Sequence, residues 1–197
     1  MRVYVVRHGE AGDDDDDAYG GAADYRLTDR GREQATETAA SLSSAGIVQI
    51  YSSPLSRASE SAQIIAATLP GTPPVTVVDG LRERNSYGVL SGVTKAKAKE
   101  LFGYILDQLQ EKPGYSREPL LGAEDFDEFL LRVRAAFDEV IRDAQAAGHE
   151  SIALVTHGKF TRGLAEHVLL LGDVDLDLSS ILAVDYTPFV ANVVTEA

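Results

Sequence analysis

Short apolar runs alternate with longer amphipathic stretches along this chain of 197 residues. Four runs are rich in β-branched residues and bounded by turn residues, which is typical of buried strands. They lie at residues 2–6, 47–51, 75–78 and 152–156. Amphipathic or cap-bounded stretches between them predict helices at residues 29–44, 54–69, 95–110, 125–147 and 160–171, and a closing strand pair is predicted at residues 181–186 and 189–194. Strands that alternate with helices in this way predict an α/β fold.

Composition narrows the possible functions. Apolar residues make up 44% of the chain, enough for a core, and no run of 18 apolar residues predicts a membrane span. The apolar run near the N-terminus is too short for a signal peptide, so we expect a cytoplasmic protein. The absence of cysteine excludes disulfides, thiolate metal sites and cysteine nucleophiles, and the net charge of -13 argues against nucleic acid as a partner.

Histidine and arginine side chains follow three of the predicted strands. Arg7 and His8 end the first strand, Arg57 lies one helical turn after the second, and His157 ends the strand at residues 152–156. Because ligands of open α/β sheets bind outside the carboxyl ends of the strands, we expect these side chains to converge on one crevice. Thr28, which precedes Asp29, is predicted to cap the helix that follows the first strand.

This set of side chains suits phosphoryl transfer. Guanidiniums match phosphate oxygens, and an imidazole between them can attack phosphorus. Glu83, which follows the third strand, is the best candidate for protonating the leaving oxygen. Gly9 and Gly158 each follow a histidine and permit close approach of a ligand to the backbone. Lys159 either donates to a substrate anion or extends from a helix start into solvent.

Six ordered segments of the chain resemble the signatures of the histidine phosphatase superfamily, whose fold is that of phosphoglycerate mutase. The segments are Arg7-His8-Gly9-Glu10, residues 27–35, residues 52–58, Leu81-Arg82-Glu83-Arg84 with Tyr87-Gly88, Gly122-Ala123-Glu124 and Val155-Thr156-His157-Gly158. The resemblance implies a three-layer structure with a mostly parallel central sheet flanked by helices. It also implies a single domain over residues 1–197, with a helical insertion at about residues 85–122 that covers the active site.

The resemblance also implies roles for individual residues. His8 is expected to form a phosphohistidine, Arg7, Arg57 and His157 to bind the phosphate, and Glu83 to act first as an acid and then as the base that activates water. Arg84 matches a position that contacts substrate in the mutase branch. With Gly9, Gly158 and Lys159 it completes the expected substrate-binding residues. No cofactor or metal is expected, and the expected partner is a small phosphorylated substrate; the oligomeric state stays open.

Two departures from the family pattern favour hydrolysis over mutase activity. Many members carry Ser or Thr and then Asn where this chain has Ala11 and Asp14. A carboxylate about 5 Å from a phosphate oxygen costs about 3 kcal/mol at an effective dielectric constant of about 20, which disfavours the doubly phosphorylated intermediate of a mutase. The predicted function is therefore a phosphomonoesterase. The alternatives are a phosphoglycerate mutase, a metal hydrolase that uses His8 and His157, and a non-catalytic phosphate-binding module.

The five consecutive aspartates at positions 13–17 follow the first predicted strand. Such a charge run is most often a solvated loop. It could also act as an electrostatic filter for the substrate or bind a divalent metal, although it lacks the ligand spacing of an EF-hand loop. The sequence leaves these alternatives open.

Overall fold

The computed structural model describes residues 1–12, 16–110, 120–174, 177–187 and 190–193. Within these residues, six strands form one sheet in the order β3-β2-β4-β1-β5-β6. They are β1 (Arg2–Arg7), β2 (Gln49–Ser52), β3 (Val75–Val77), β4 (Ser151–Thr156), β5 (Ile181–Thr187) and β6 (Val190–Val193). The first four strands pair in parallel and β5 and β6 pair antiparallel, which confirms the mostly parallel sheet.

The helices lie close to the predicted segments. They are α1 (Asp29–Ser41), α2 (Ser56–Thr68), α3 (Lys95–Gln110), α4 (Phe126–Ala146) and α5 (Gly158–Gly163), and α5 continues into a π-helical turn at Leu164–Val168. The oxygen of the Thr28 side chain accepts from the amide of Gly31 at 3.0 Å, so Thr28 caps α1 as predicted. The final helix, predicted to reach residue 171, ends earlier because the π-helical turn is followed by Leu170, whose positive φ of 56° interrupts a right-handed helix.

Two apolar clusters lie on opposite faces of the sheet. Alternate residues of a strand point to opposite faces, and Val3 and Val5 of β1 accordingly pack in the cluster that contains Phe129 of α4. Tyr4 and Val6 pack in the other cluster, with side chains of α1 and α2 such as Ala39 and Ile65. The sheet is therefore covered on both faces, which confirms the predicted three-layer architecture.

The segment between β3 and α4 contains short 3₁₀ helices at Asp79–Leu81 and Gly88–Leu90 and then α3, whose backbone departs from helical geometry at Phe102. The predicted insertion at about residues 85–122 falls partly outside the described residues, since positions 111–119 are not among them. Across the described parts of the chain, every helix is too short or too polar to span a bilayer.

Candidate active site

Backbone hydrogen bonds join the carboxyl ends of four neighbouring strands. The amide of His8 donates to the carbonyl of Thr156 at 3.0 Å, and the amide of Ser53 donates to that of Val155 at 3.0 Å. The amide of Val78 donates to Ser52 at 2.9 Å. These bonds hold the turns that follow β1, β2, β3 and β4 at one edge of the sheet. The residues that follow these four strands therefore lie close together.

The turn after His8 packs directly against the start of α1. A Cβ atom on Gly9 would lie 2.4 Å from the carbonyl oxygen of Gly31, and one on Gly31 would lie 2.0 Å from that of Glu10. Neither position can carry a side chain without moving backbone. The structure thus explains Gly9 by packing, and its amide donates to Ser61 at 3.3 Å; its contact with substrate stays a prediction.

His8 is buried and its ring is held in one orientation. Its Nδ1 lies 2.7 Å from the carbonyl oxygen of Gly9. Because a carbonyl only accepts, Nδ1 carries the proton, and Nε2 keeps a lone pair that accepts from Nε of Arg57 at 3.2 Å. Burial, and then the charge of Arg57, lowers the pKa of His8 to about 3. His8 is therefore a neutral imidazole at physiological pH, with its lone pair on Nε2.

Arg57 is only 2% exposed although it lies in the first turn of α2. Besides its bond to His8, its guanidinium donates to the carbonyls of Ala23 at 2.8 Å and Gly21 at 3.1 Å. The carboxylate of Asp24 accepts from the amide of Ser56 at 2.6 Å. The loop that follows β1 is thus attached to the start of α2 on both sides of Arg57, which orients this guanidinium.

His157 lies beside His8, with ring centroids 5.0 Å apart in an edge-to-face arrangement. Its Nε2 is 2.8 Å from the hydroxyl of Ser53, and among the described residues its buried Nδ1 has no hydrogen-bond partner. Burial, followed by the proximity of His8 and Arg57, holds the pKa of His157 well below its usual value. A second neutral imidazole therefore accompanies His8.

Glu83 follows the 3₁₀ turn after β3. The hydroxyl of Thr156 donates to the carbonyl of Leu81 at 2.6 Å, which fixes this turn against the end of β4. The carboxylate of Glu83 accepts from the amides of Arg84 at 2.9 Å and Lys159 at 3.3 Å. The predicted acid is thereby held next to the start of α5.

These side chains meet in a cavity of about 350 Å³. Six of the residues predicted from sequence line it: Arg7, His8, Arg57, Glu83, Gly158 and Lys159. His157 lies directly behind His8, and the guanidinium of Arg7 packs on Gly158, where an added Cβ would lie 3.3 Å from Cζ of Arg7. The cavity therefore places an imidazole, two guanidiniums and a carboxylate around one space.

Arg84 is placed differently from the prediction. It is not among the residues that line this cavity. Its guanidinium lies 3.2 Å from the carbonyl oxygen of Glu124 and stacks over the rings of Phe126 and Phe129, at 5.0 and 5.6 Å from their centroids. Its contact with substrate stays a prediction.

Four further aromatic or basic side chains line the cavity, and sequence reasoning gave none of them a role: Tyr19, Tyr87, Lys95 and Arg162. Tyr19 and Tyr87 stack with ring centroids 4.8 Å apart, and Nζ of Lys159 lies 4.4 Å from the centre of the Tyr87 ring. Arg162 had a signal, since residues three apart on a helix share a face and it follows Lys159 by three. Tyr87 had one as well, since it belongs to a segment that matches the family. Tyr19 and Lys95 had none, because contacts between distant loops bring them to the cavity.

The acidic run is partly visible at the rim of the cavity. Asp17 forms an ion pair with Lys95, and its carbonyl accepts from the Lys95 amide at 2.9 Å. Positions 13–15, including Asp14, lie outside the described residues. Ala11 is buried and its backbone pairs with Leu27. The predicted roles of the run as solvated loop, electrostatic filter or metal site stay open.

The family model of the histidine phosphatase superfamily (branch 1) matches residues 3–191. The chain belongs to this superfamily. A broad-specificity phosphatase of Saccharomyces cerevisiae is 28% identical to this histidine phosphatase over 80% of the chain and 66% of the yeast protein. Phosphoglycerate mutase-like protein 4 of Arabidopsis thaliana is 33% identical over 83% of the chain and 69% of its own length. Both phosphatases and mutases therefore occur among its relatives.

Solved structures agree on the fold of this histidine phosphatase. A phosphoglycerate mutase from Bacillus anthracis superposes with a TM-score of 0.83 at 23% identity, covering 100% of this chain and 92% of the mutase. A mycobacterial glucosyl-3-phosphoglycerate phosphatase in complex with VO3 superposes with a TM-score of 0.79 at 21% identity, covering 99% and 98% of the two chains. At these identities the likeness establishes the shared fold and leaves the substrate open.

Proposed function

We propose that this histidine phosphatase hydrolyses a small phosphomonoester through a phosphohistidine intermediate on His8. The observation that carries the proposal is the neutral imidazole of His8, whose Nε2 lone pair faces the guanidinium of Arg57 in a cavity that Arg7 and Glu83 also line. Guanidiniums bind phosphate oxygens at any working pH and stabilise the charge of the transition state without a proton transfer.

In the first step, the substrate phosphate takes over the hydrogen bond that Nε of Arg57 donates to Nε2 of His8, and the freed lone pair of Nε2 attacks phosphorus while the bond between phosphorus and the leaving oxygen breaks. Glu83, protonated at this point, donates its proton to that oxygen and the alcohol departs. A positioned acid contributes a factor of about 10²–10⁴ to the rate. The products of this step are the free alcohol, a phosphohistidine and the Glu83 carboxylate.

In the second step, the Glu83 carboxylate accepts a proton from water as the water oxygen attacks phosphorus. The bond between phosphorus and Nε2 breaks, which releases inorganic phosphate and restores His8. The proton that Glu83 acquires here is the one that it donates in the next cycle. Each residue thus returns to its starting state without a cofactor.

Arg57 and His157 have unused donors for the phosphate. A guanidinium carries five N–H groups, and described residues accept from three of those of Arg57. The Nδ1 atom of His157 has no partner in the described part of the chain and can donate to a phosphate oxygen in the tautomer in which the Ser53 hydroxyl donates to Nε2. Phosphate binding therefore supplies partners for polar groups that the folded chain leaves available.

The runner-up function is that of a phosphoglycerate mutase, the name that three of the similar proteins carry. Hydrolysis is favoured by Asp14, because a carboxylate at this position disfavours the doubly phosphorylated intermediate that a mutase must hold. A metal hydrolase is less favoured, since within the described ranges no three His, Asp or Glu side chains cluster closely enough to hold a metal ion. Two guanidiniums beside His8 would also repel a cation.

A substrate panel tests the proposal. Purified protein is assayed for phosphate release from sugar phosphates, phosphoglycerates, nucleotides and aryl phosphates, with and without EDTA, and in parallel for mutase activity with 2,3-bisphosphoglycerate. We expect hydrolysis that survives EDTA and exceeds any mutase turnover. Efficient mutase turnover that depends on the bisphosphoglycerate would contradict hydrolysis as the main activity.

A further inference from the structure

Arg132 of α4 and Glu124 form a nearly buried ion pair beside the segment that carries Glu83. Their side chains are 13% and 17% exposed. The Nε and Nη2 atoms of Arg132 each donate to one carboxylate oxygen of Glu124, both at 2.7 Å. This is the bidentate geometry, in which two parallel hydrogen bonds fix the carboxylate relative to the guanidinium. Neither residue is among those that line the cavity.

The remaining terminal nitrogen of Arg132 holds the chain immediately before Glu83. Its Nη1 atom donates to the carbonyl of Gly80 at 2.8 Å and to that of Arg82 at 2.9 Å. Arg132 therefore uses one guanidinium to connect the Glu124 carboxylate to two peptide groups of the turn that ends at Glu83.

The backbone of Glu124 holds the chain immediately after Glu83. Its amide donates to the carbonyl of Asn85 at 2.8 Å, and its carbonyl accepts from the guanidinium of Arg84 at 3.2 Å. Glu83 is thus the one residue of positions 82–85 that points its side chain at the cavity, while its neighbours on both sides are bound to Arg132 or Glu124.

We propose that Arg132 and Glu124 are positioning residues that hold the carboxyl group of Glu83 where it meets the leaving oxygen of the substrate. The inference rests on the proposed role of Glu83 as general acid. Proton transfer needs the carboxyl within hydrogen-bond distance of the leaving oxygen, so a small displacement of Glu83 removes its contribution. Removing one partner of a buried ion pair leaves an uncompensated charge, so a substitution here displaces the turn.

Leaving-group dependence separates this role from a merely structural one. A good leaving group such as 2,4-dinitrophenolate departs without a proton, whereas the more basic phenolate requires one. We expect Arg132→Met to lower kcat/KM for phenyl phosphate about 10²-fold, and to change that for 2,4-dinitrophenyl phosphate less than about threefold. The parameter kcat/KM reports the step that phosphorylates His8. Arg142→Met, which removes an exposed arginine of the same helix, is the matched control.

Two milder variants test the same role in case Arg132→Met does not fold. Arg132→Lys keeps the charge but not the bidentate geometry, and Glu124→Gln keeps the backbone contacts to Arg84 and Asn85. We expect both to lower kcat/KM for phenyl phosphate more than that for 2,4-dinitrophenyl phosphate, by a smaller factor than Arg132→Met does. In a Glu83→Gln background, Arg132→Met should produce no additional selective loss, because the two substitutions act on the same proton transfer.

The outcomes distinguish this inference from the proposed function. If Glu83→Gln is selective but the Arg132 and Glu124 variants slow both substrates equally, the positioning role is overturned and the proposed function stands. If Glu83→Gln itself slows both substrates equally, the general-acid assignment fails and the inference fails with it. Selective loss in all of them supports both.

Discussion

The floor and the mouth of the cavity are built in different ways. The floor consists of four buried side chains: His8 and Arg57 line the cavity and hydrogen-bond to each other, and His157, which packs against His8, hydrogen-bonds to Ser53. The mouth consists of half-buried or exposed side chains that lie on loops, at the start of α3 and in α5: Tyr19, Tyr87, Lys95, Lys159 and Arg162. Its cations partly pair with acidic residues, as Lys95 does with Asp17 and Arg162 with Glu166 at 3.7 Å.

This difference separates the chemistry from the specificity. A buried polar group is costly unless it is bonded, so the hydrogen bonds of His8 and Arg57 restrict each of these side chains to one orientation. Exposed ion pairs contribute little and exchange readily with solvent, so the mouth tolerates change. We therefore expect substitutions in the floor to abolish turnover of every substrate, whereas substitutions in the mouth alter which substrate is preferred.

The largest effect is expected from Arg57→Lys. Lysine keeps the charge but cannot bond to His8, Gly21 and Ala23 together. We expect kcat/KM to fall about 10²–10³-fold for all substrates, the usual loss when one donor to a transition-state oxyanion is removed. Arg32→Lys, an exposed substitution on α1, is the control. Near-native activity of Arg57→Lys would show that the floor does not depend on this guanidinium.

The second-largest effect is expected in the free energy of unfolding, which should depend on pH because His8 is buried in the floor. The folded pKa of His8 is about 3 and the unfolded value is 6.5, so below pH 6.5 the unfolded chain binds a proton that the folded chain excludes. Stability attributable to His8 is therefore present above pH 6.5 and is lost as the pH falls towards 3. Between pH 7 and about pH 4.5 the loss is about 2–3 kcal/mol.

Urea unfolding at the two pH values measures this contribution. His8→Asn should lose about 2 kcal/mol less than the wild type over the same change in pH. His149→Asn, in the turn between α4 and β4, is the control for removing a histidine. An equal loss in His8→Asn and the wild type would mean that burial does not restrict the protonation of His8.

The smallest effect is expected from Lys159→Met at the mouth. An ammonium about 4 Å from a second substrate anion contributes about 1–4 kcal/mol, depending on the local dielectric constant. We expect KM to rise about tenfold for monoesters with a negatively charged leaving group and to change less than about twofold for those with a neutral one. Lys97→Met, on α3, is the control. A uniform effect on kcat for both substrate classes would place Lys159 with the floor instead.

The floor could be predicted from the sequence because strand ends determine it. Residues that follow parallel strands necessarily meet at one edge of the sheet, so His8, Arg57 and His157 could be brought together without any knowledge of loop conformation. Glu83 followed from the same rule. Six matching segments in the family's order supported this placement independently.

The mouth could not be predicted because tertiary contacts between distant loops form it. The backbone of Tyr19 bonds to Gly92 and Val93, more than 70 positions away. Arg84 lies outside the cavity for a similar reason, since the carbonyl of Glu124 and two phenylalanine rings hold its guanidinium. Arg132 carried no chemical signal, because an arginine on an amphipathic helix is usually solvated. Glu124 lay in one of the six matching segments, but the sequence did not show that Arg132 is its partner.

Trapping the covalent intermediate tests the central claim most directly. Enzyme mixed with an aryl phosphate is quenched in alkali within the first turnovers, digested and analysed by mass spectrometry. The account predicts one phosphate on the peptide that contains His8, stable in base, released by acid and absent from His8→Ala. Phosphate on another residue, or steady hydrolysis by His8→Ala at near-native rates, would contradict it.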